Sequence, residues 1–245
     1  MSNSAAGIVR IGTAGWTIPA ADRGAFPQAG THLERYAAVF DGVEINASLH
    51  RLHRKTTYQR WAAAVPDTFK FSVKVPKAIT HVDRLGGTEP LLDSFLAEVS
   101  GLEHKLGPLL IQLPPSLVFD PQIAEQFLKY LRDRVSGPVT FEPRHASWFL
   151  AEAETLLVTF RIGRVGADPA PVPQAARPGG WVGVRYCRLH GSPRIYHSHY
   201  SNDAIRASLV QLRTEAIEGA EFWCIFDNTA SGVAMTNALA ARSFL

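Results

Sequence analysis

The run Phe141-Glu142-Pro143-Arg144-His145-Ala146-Ser147-Trp148-Phe149 follows directly on an apolar stretch that begins at Pro138. A buried parallel strand reads as a continuous apolar run, so a carboxylate, a guanidinium and an imidazole just past its end predict a polar pocket above a core. Glu142 is expected to serve there either as a general acid/base or as the ionic partner of Arg144. Arg188 and His190, in Arg188-Leu189-His190-Gly191-Ser192-Pro193, repeat the pattern at the end of a second apolar run. Gly191 and Ser192 are candidates for presenting a backbone N–H to phosphate.

Side chains alternate across a strand, so residues two apart share a face. By that rule Glu44, Asn46 and Ser48 fall together, as do Ser72 and Lys74, Glu142 and Arg144, and Arg188 and His190. Other runs end in Gly12-Thr13-Ala14-Gly15-Trp16, in Gln112-Leu113-Pro114-Pro115, in Asp168 and in Asp227-Asn228. Together they set the carboxylates Glu44, Glu142, Asp168 and Asp227 against Lys74, Lys77, Arg144 and Arg188, with His81, His145 and His190 nearby. Arg and Lys holding an anion while a carboxylate or imidazole moves a proton is a common enzymatic arrangement. Glu142, His190 and Asp227 are the candidate proton carriers. Trp16, Glu44, Asn46, Lys74, Lys77, His81, Gln112, Arg144, His145, Arg188, Tyr196, Tyr200 and Asn228 are the candidate binding residues. The competing reading is a salt-bridged lattice that merely satisfies the strand ends, and for His145 it is a cap on a helix that starts near Ser147.

The elements that must position these groups alternate along the chain. Strands are expected at Ile8 to Gly12, Gly42 to Asn46, Lys70 to Val75, Pro108 to Leu113, Pro138 to Glu142, Gly163 to Ala167, Trp181 to His190 and Glu221 to Asp227. Helical spacing occupies Thr31 to Phe40, Thr56 to Ala64, Pro90 to His104, Pro121 to Arg134, Glu152 to Phe160, Asp203 to Glu215 and Gly232 to Arg242. Proline near the first turn marks two helix starts, at Glu89-Pro90 and Asp120-Pro121; Asn202-Asp203 and Ser231 are candidate caps for the last two helices. Strands joined by crossovers predict a parallel sheet, and eight of them predict a TIM-type (β/α)8 barrel, with an open doubly wound sheet as the rival. Pro169 to Gly180, rich in proline and glycine, is expected to replace the sixth helix with an extended crossover. All 245 residues are read as one such domain, with residues 1–7 a disordered tail.

Composition narrows the partners. Twenty-five Lys and Arg against 22 Asp and Glu give a formal net charge of +3, and the isoelectric point lies near 9.0. This mild bias suits a small anionic molecule, phosphate-like or sugar-like, without demanding nucleic acid. Nucleic-acid binding or processing remains an alternative, motivated by Arg51, His53, Arg54 and Lys55; so does a non-catalytic ligand-binding protein. Cys187 and Cys224 lack metal-type spacing and read as buried reduced thiols. No apolar run is long enough to span a bilayer and no leader is evident, so the expected location is cytoplasmic. Motifs for nucleotide cofactors or zinc are missing, and no cofactor is predicted. Glu44, Glu142, Asp168, His190 and Asp227 carry donors that Mg or Mn would accept, but the cations in the same space would repel a divalent ion. No metal ligand is therefore assigned, and a divalent metal is the lesser alternative. Oligomeric state is left open.

Taken in order, Ile11-Gly-Thr-Ala-Gly-Trp16, Val43-Glu-Ile-Asn-Ala-Ser48, Phe71-Ser-Val-Lys-Val-Pro-Lys77 with Ile79-Thr-His81, Leu109 to Pro115, the Phe141 to Phe149 run, Arg188-Leu-His-Gly191 and Phe226-Asp-Asn-Thr-Ala-Ser-Gly232 resemble the domain of unknown function 72 family, also called YecE-like. The resemblance covers nearly the whole chain. It implies a TIM-type barrel and no established activity. Two departures bear on pocket shape: Leu49-His50 stands where the family usually has an aromatic pair, and the Pro169 to Gly180 stretch is shorter than usual. The reaction expected from the residues themselves is of hydrolase or lyase type.

Overall fold

The computed structural model describes residues 8–213 and 217–245. The expected disordered tail, 1–7, and the final residues of the helix expected to reach Glu215 lie outside them. Ten strands are found among the described residues: β1 (Val9–Thr13), β2 (Gly42–Ile45), β3 (Lys70–Lys74), β4 (Leu106–Gln112), β5 (Val139–Glu142), β6 (Gly163–Arg164), β7 (Gly166–Asp168), β8 (Gly179–Gly180), β9 (Val184–Leu189) and β10 (Glu221–Phe226). The α-helices are α1 (His32–Ala37), α2 (Lys55–Ala63), α3 (Glu89–Val99), α4 (Pro121–Arg132), α5 (Ala151–Thr159), α6 (Asn202–Arg213) and α7 (Val233–Arg242).

Helix starts follow local chemistry. Thr31 and Glu34 form a reciprocal capping box on α1, and Asp120 accepts from Gln122 N and Ile123 N before Pro121 opens α4. Two expected caps differ. Ser201 Oγ, not Asn202 or Asp203, accepts from Ala204 N at 3.2 Å at the start of α6. Ser231 donates its hydroxyl to His197 O at 2.7 Å, and Gly232 takes the cap position of α7 at φ 77°, a left-handed conformation that glycine adopts without strain.

The fold is α/β with predominantly parallel sheets. One sheet runs in the order β1-β10-β9-β7 and the other in the order β2-β3-β4-β5-β6-β8; among the described residues only the β6–β8 pair is antiparallel. The eight strands expected to close into one ring therefore pair as two ladders. The reason lies at Val165, where one expected strand changes partners: Gly163 and Arg164 pair with β5, while Gly166 to Asp168 pair with β9. On the other side, β1 and β2 meet at a single bridge, Ala14–Glu44, beside a Gly15 N–H donating to Glu44 O at 2.9 Å. Pro169 to Gly180 holds no α-helix; its chain makes one short 3-10 turn, Pro173–Ala176, before β8.

Alternation along the strands divides the core. Val43, Ile45, Phe71, Val73, Leu109, Ile111, Val139 and Phe141 are buried in the large cluster that includes helix residues such as Leu92, Leu128 and Leu157. Leu110, Val165, Tyr186, Trp223 and Ile225 form a separate cluster, drawing on strands of both sheets. Trp223 is its largest member, with its indole nearly parallel to the Tyr186 ring and stacked on it at 6.0 Å between centroids. Gly42 and Gly107 make room for it, since a Cβ on either would stand 2.9 or 2.8 Å from the indole. Trp223→Ala should cost about 3–5 kcal/mol through lost transfer energy and an unfilled cavity. Denaturant unfolding would show this as a lower midpoint at an unchanged slope, and a loss under about 1 kcal/mol would contradict the packing described.

Candidate functional site

Arg188 sits at the centre of the polar groups on the inner faces of the two sheets, with no exposure. Its Nε and Nη2 grip Glu44 at 2.9 and 2.7 Å, Nη1 donates to Glu142 Oε2 at 2.7 Å, and Nη2 also reaches Asp227 Oδ2 at 3.0 Å. One guanidinium thus bridges carboxylates from β2, the end of β5 and the residue after β10. Glu44 is held further by the Tyr186 hydroxyl, 3.0 Å from its Oε2 and equally far from Ser72 Oγ. Tyr186 was not among the expected residues, yet it shares strand parity with Arg188 and His190, and that was the signal for it.

Glu142 is saturated. Oε2 accepts from Arg188 and, at 2.9 Å, from Gln112 Nε2; Oε1 accepts from Arg144 Nη2 and lies 2.8 Å from His190 Nε2. Burial alone would raise its carboxyl, but the Arg188 and Arg144 guanidiniums, with His190, hold it well below the usual carboxylate range. Asp227 behaves alike: burial opposes its charge, and Arg188, His190 and Lys74 overcome that. Arg188 in turn is held charged, since Glu44, Glu142 and Asp227 outweigh the burial that disfavours its cation.

His190 has a partner on each ring nitrogen. Nδ1 lies 2.9 Å from Asp227 Oδ2, and Nε2 lies between Glu142 Oε1 at 2.8 Å and Arg144 Nη2 at 2.9 Å. With the proton on Nδ1, Nε2 accepts from Arg144; with both nitrogens protonated, each faces a carboxylate.

Two cations retain unused donors. Arg144 Nε is buried with no hydrogen-bond partner among the described residues. Lys74 is 4% exposed and makes one side-chain hydrogen bond, to Asn46 Oδ1 at 3.1 Å. Its ammonium is pushed down to about 8 by burial and by Arg188, against the pull of Glu44, Glu142 and Asp227. His81, next to this group, has its ring nitrogen 2.7 Å from Thr80 Oγ1; burial and then Lys74, His50 and Lys77 disfavour its cation. Lys77 is exposed beside it.

Other expected site residues are spent elsewhere. His145 caps the 3-10 turn Ala146–Phe149, accepting from Ser147 N at 3.2 Å, which is its structural alternative. Tyr200 is buried, its hydroxyl 2.7 Å from Asp168 Oδ2, and it takes the Gly191 N–H that was expected to face phosphate. Asn228 is fully buried and donates to Ser198 O and Asn237 Oδ1. Tyr200 and Asn228 thus tie the loops around them, because buried backbone groups at strand ends demand partners. Trp16 packs edge-on against Trp61 at 5.0 Å. Tyr196 remains by the site, its ring perpendicular to His190 at 6.0 Å. Of the basic run beyond β2, Arg51, Arg54 and Lys55 are exposed, but His53 is wedged against Tyr58 and Trp61. Both cysteines are free and buried. No helix among the described residues is long and apolar enough to cross a membrane.

A family model described as "Protein of unknown function DUF72" matches residues 10–245. The chain belongs to the DUF72 family. Among curated DUF72-like relatives, it is 34% identical over 155 residues to UPF0759 protein YecE of Escherichia coli K12, covering 60% of this chain and 56% of the relative. It is 28% identical over 125 residues to UPF0759 protein YunF of Bacillus subtilis 168, covering 48% and 44%. The matched stretches thus span about half the length of these relatives. Two solved DUF72 structures have the same fold: one from Enterococcus faecalis V583, with TM-score 0.79 at 21% identity over 96% of this chain and 94% of that one, and one from Thermotoga maritima MSB8, with TM-score 0.76 at 24% identity over 97% and 98%.

Proposed function

We propose that this DUF72 protein is an enzyme of hydrolase or lyase type, acting on a small anionic or polyhydroxylated molecule at the C-terminal ends of β2, β3, β5, β9 and β10. The observation that carries this reading is the imbalance of pairing. Arg188 consumes three carboxylates, while Arg144 and Lys74 beside it keep unused N–H donors. A lattice built only for stability would spend those donors, because a buried unpaired donor costs about 1–3 kcal/mol. An incoming carboxylate or phosphate satisfies them.

In this reading Arg144 and Lys74 hold the anion, with Lys77 and His81 on the rim. His190, oriented by Asp227, carries the proton. Glu142 and Arg188 are the anchor that fixes both, a change from the acid/base role open to Glu142 on sequence. The reading also takes the two sheets as halves of one eight-stranded barrel, joined at the 163–168 run and the Ala14–Glu44 bridge. On that architecture the site occupies the face where barrel enzymes work.

Calorimetric titration with inorganic phosphate tests the clamp. Arg144→Gln should weaken binding about tenfold or more, the loss expected for one charge-assisted hydrogen bond, and should also lower the melting temperature, because it gives up the ion pair with buried Glu142. Equal affinity in parent and variant would rule the clamp out.

A further inference from the structure

Lys74 has a feature that clamping an anion does not require. It is the last residue of β3, and Glu44, Glu142 and Asp227 all act on its charge, yet none makes an ion pair with it; the carboxylate contacts of the cluster go to Arg188, Arg144 and His190. An ammonium has three N–H donors, and among the described residues this one finds a single acceptor, Asn46 Oδ1. Burial with one partner penalises the ammonium far more than the neutral amine, which has fewer donors to satisfy and no charge to desolvate. Arg188, permanently charged nearby, adds to that penalty. His81, half-buried on the segment after β3, is held by Thr80 and is itself disfavoured as a cation. The largest charges acting on Lys74 are Arg188 from β9, Glu44 from β2, Glu142 from β5 and Asp227 after β10, and Lys74 in turn acts on His81 after β3.

We propose that Lys74 is an amine nucleophile that condenses with the carbonyl carbon of an anionic aldehyde or ketone to form an imine. This rests on the small-anion reading above and names the reacting bond. The neutral amine adds to the carbonyl carbon; the N–C bond forms as the carbonyl π pair moves to oxygen, and that oxygen gains the proton nitrogen loses. Protonation of the resulting hydroxyl expels it as water while the nitrogen lone pair closes the C=N bond. Overall, ammonium plus carbonyl gives iminium plus water, with no net proton consumed. The iminium carries the same single positive charge as the ammonium, so Glu44, Glu142 and Asp227 face the same charge before and after the condensation. At about 8, roughly a tenth of Lys74 is neutral at pH 7, about 300-fold more than for an ordinary lysine.

Reductive trapping tests this on the intact chain. Pyridoxal 5′-phosphate and, separately, uncharged glyceraldehyde are each added with borohydride reagents over a pH series, and labelled lysines are located by peptide mass mapping. Lys74 should label at neutral pH at least about tenfold faster than the exposed Lys55, Lys77 and Lys129, with half-maximal rate near pH 8. Lys74→Arg, which keeps the charge without a nucleophilic amine, should abolish the fast label. Labelling of Lys74 no faster than that of exposed lysines, with phosphate still bound through Arg144, overturns the imine proposal and leaves the anion reading standing. Fast labelling by glyceraldehyde with no phosphate binding does the reverse. Loss of both removes both.

Discussion

Arg188→Met should unfold this protein more readily than any other single change at the site, at a cost of about 3–5 kcal/mol or more. For a chain of this length that is roughly 10 °C or more in melting temperature. Methionine fills much of the volume, but Glu44, Glu142 and Asp227 would be left buried around a neutral side chain. The pH dependence gives a sharper signature. In the parent, Glu142 and Asp227 are depressed below the ordinary carboxylate value. Their contribution is therefore present above the unfolded value, about 4, and is lost as pH falls through the folded value. Without Arg188 the largest opponent of burial is gone, while Arg144, His190 and Lys74 remain, so the folded values rise and the variant should lose less stability than the parent as pH falls. Melting curves of both proteins across that range check this. Parallel pH profiles would mean that Arg188 does not hold the carboxylates ionised.

Glu142→Ala is expected to lose about 3–5 kcal/mol, since it strands part of Arg188, Arg144 and His190 at once. Gln should recover part of the loss, because its carbonyl oxygen still accepts while its amide nitrogen faces a guanidinium that offers no lone pair. Denaturant midpoints measured beside phosphate affinity separate two roles. An anchor fails in both stability and binding. A general acid/base would spare stability and lose only turnover, and that result would restore Glu142 to the chemistry.

Much of the site was legible in strand parity. A period of two set Glu44 with Asn46, Ser72 with Lys74, Glu142 with Arg144, and Arg188 with His190 on shared faces, and these residues do converge. The same parity would have included Tyr186, which is large and apolar enough to be read as core; its ring indeed belongs to the inner cluster while its hydroxyl serves Glu44. Loop residues were less legible. His145, Tyr200 and Asn228 have the side chains of a binding site, but strand ends leave backbone groups needing partners, and these three polar side chains answer that need.

By itself, the sequence determined the alternation of strands and helices, the proline-bound crossover without a helix, and which polar side chains lie at strand ends, because each depends on neighbours a few residues away. Only the tertiary structure decided that Arg188 rather than Arg144 is the hub. Its bidentate partner Glu44 lies 144 positions away in the chain, on the opposite sheet. Which carboxylate a guanidinium meets depends on strand order and on the distance across the inner faces, and no local pattern carries either. The same long-range pairing left Lys74 with one hydrogen bond among three occupied carboxylates, the arrangement on which its proposed nucleophilic role rests.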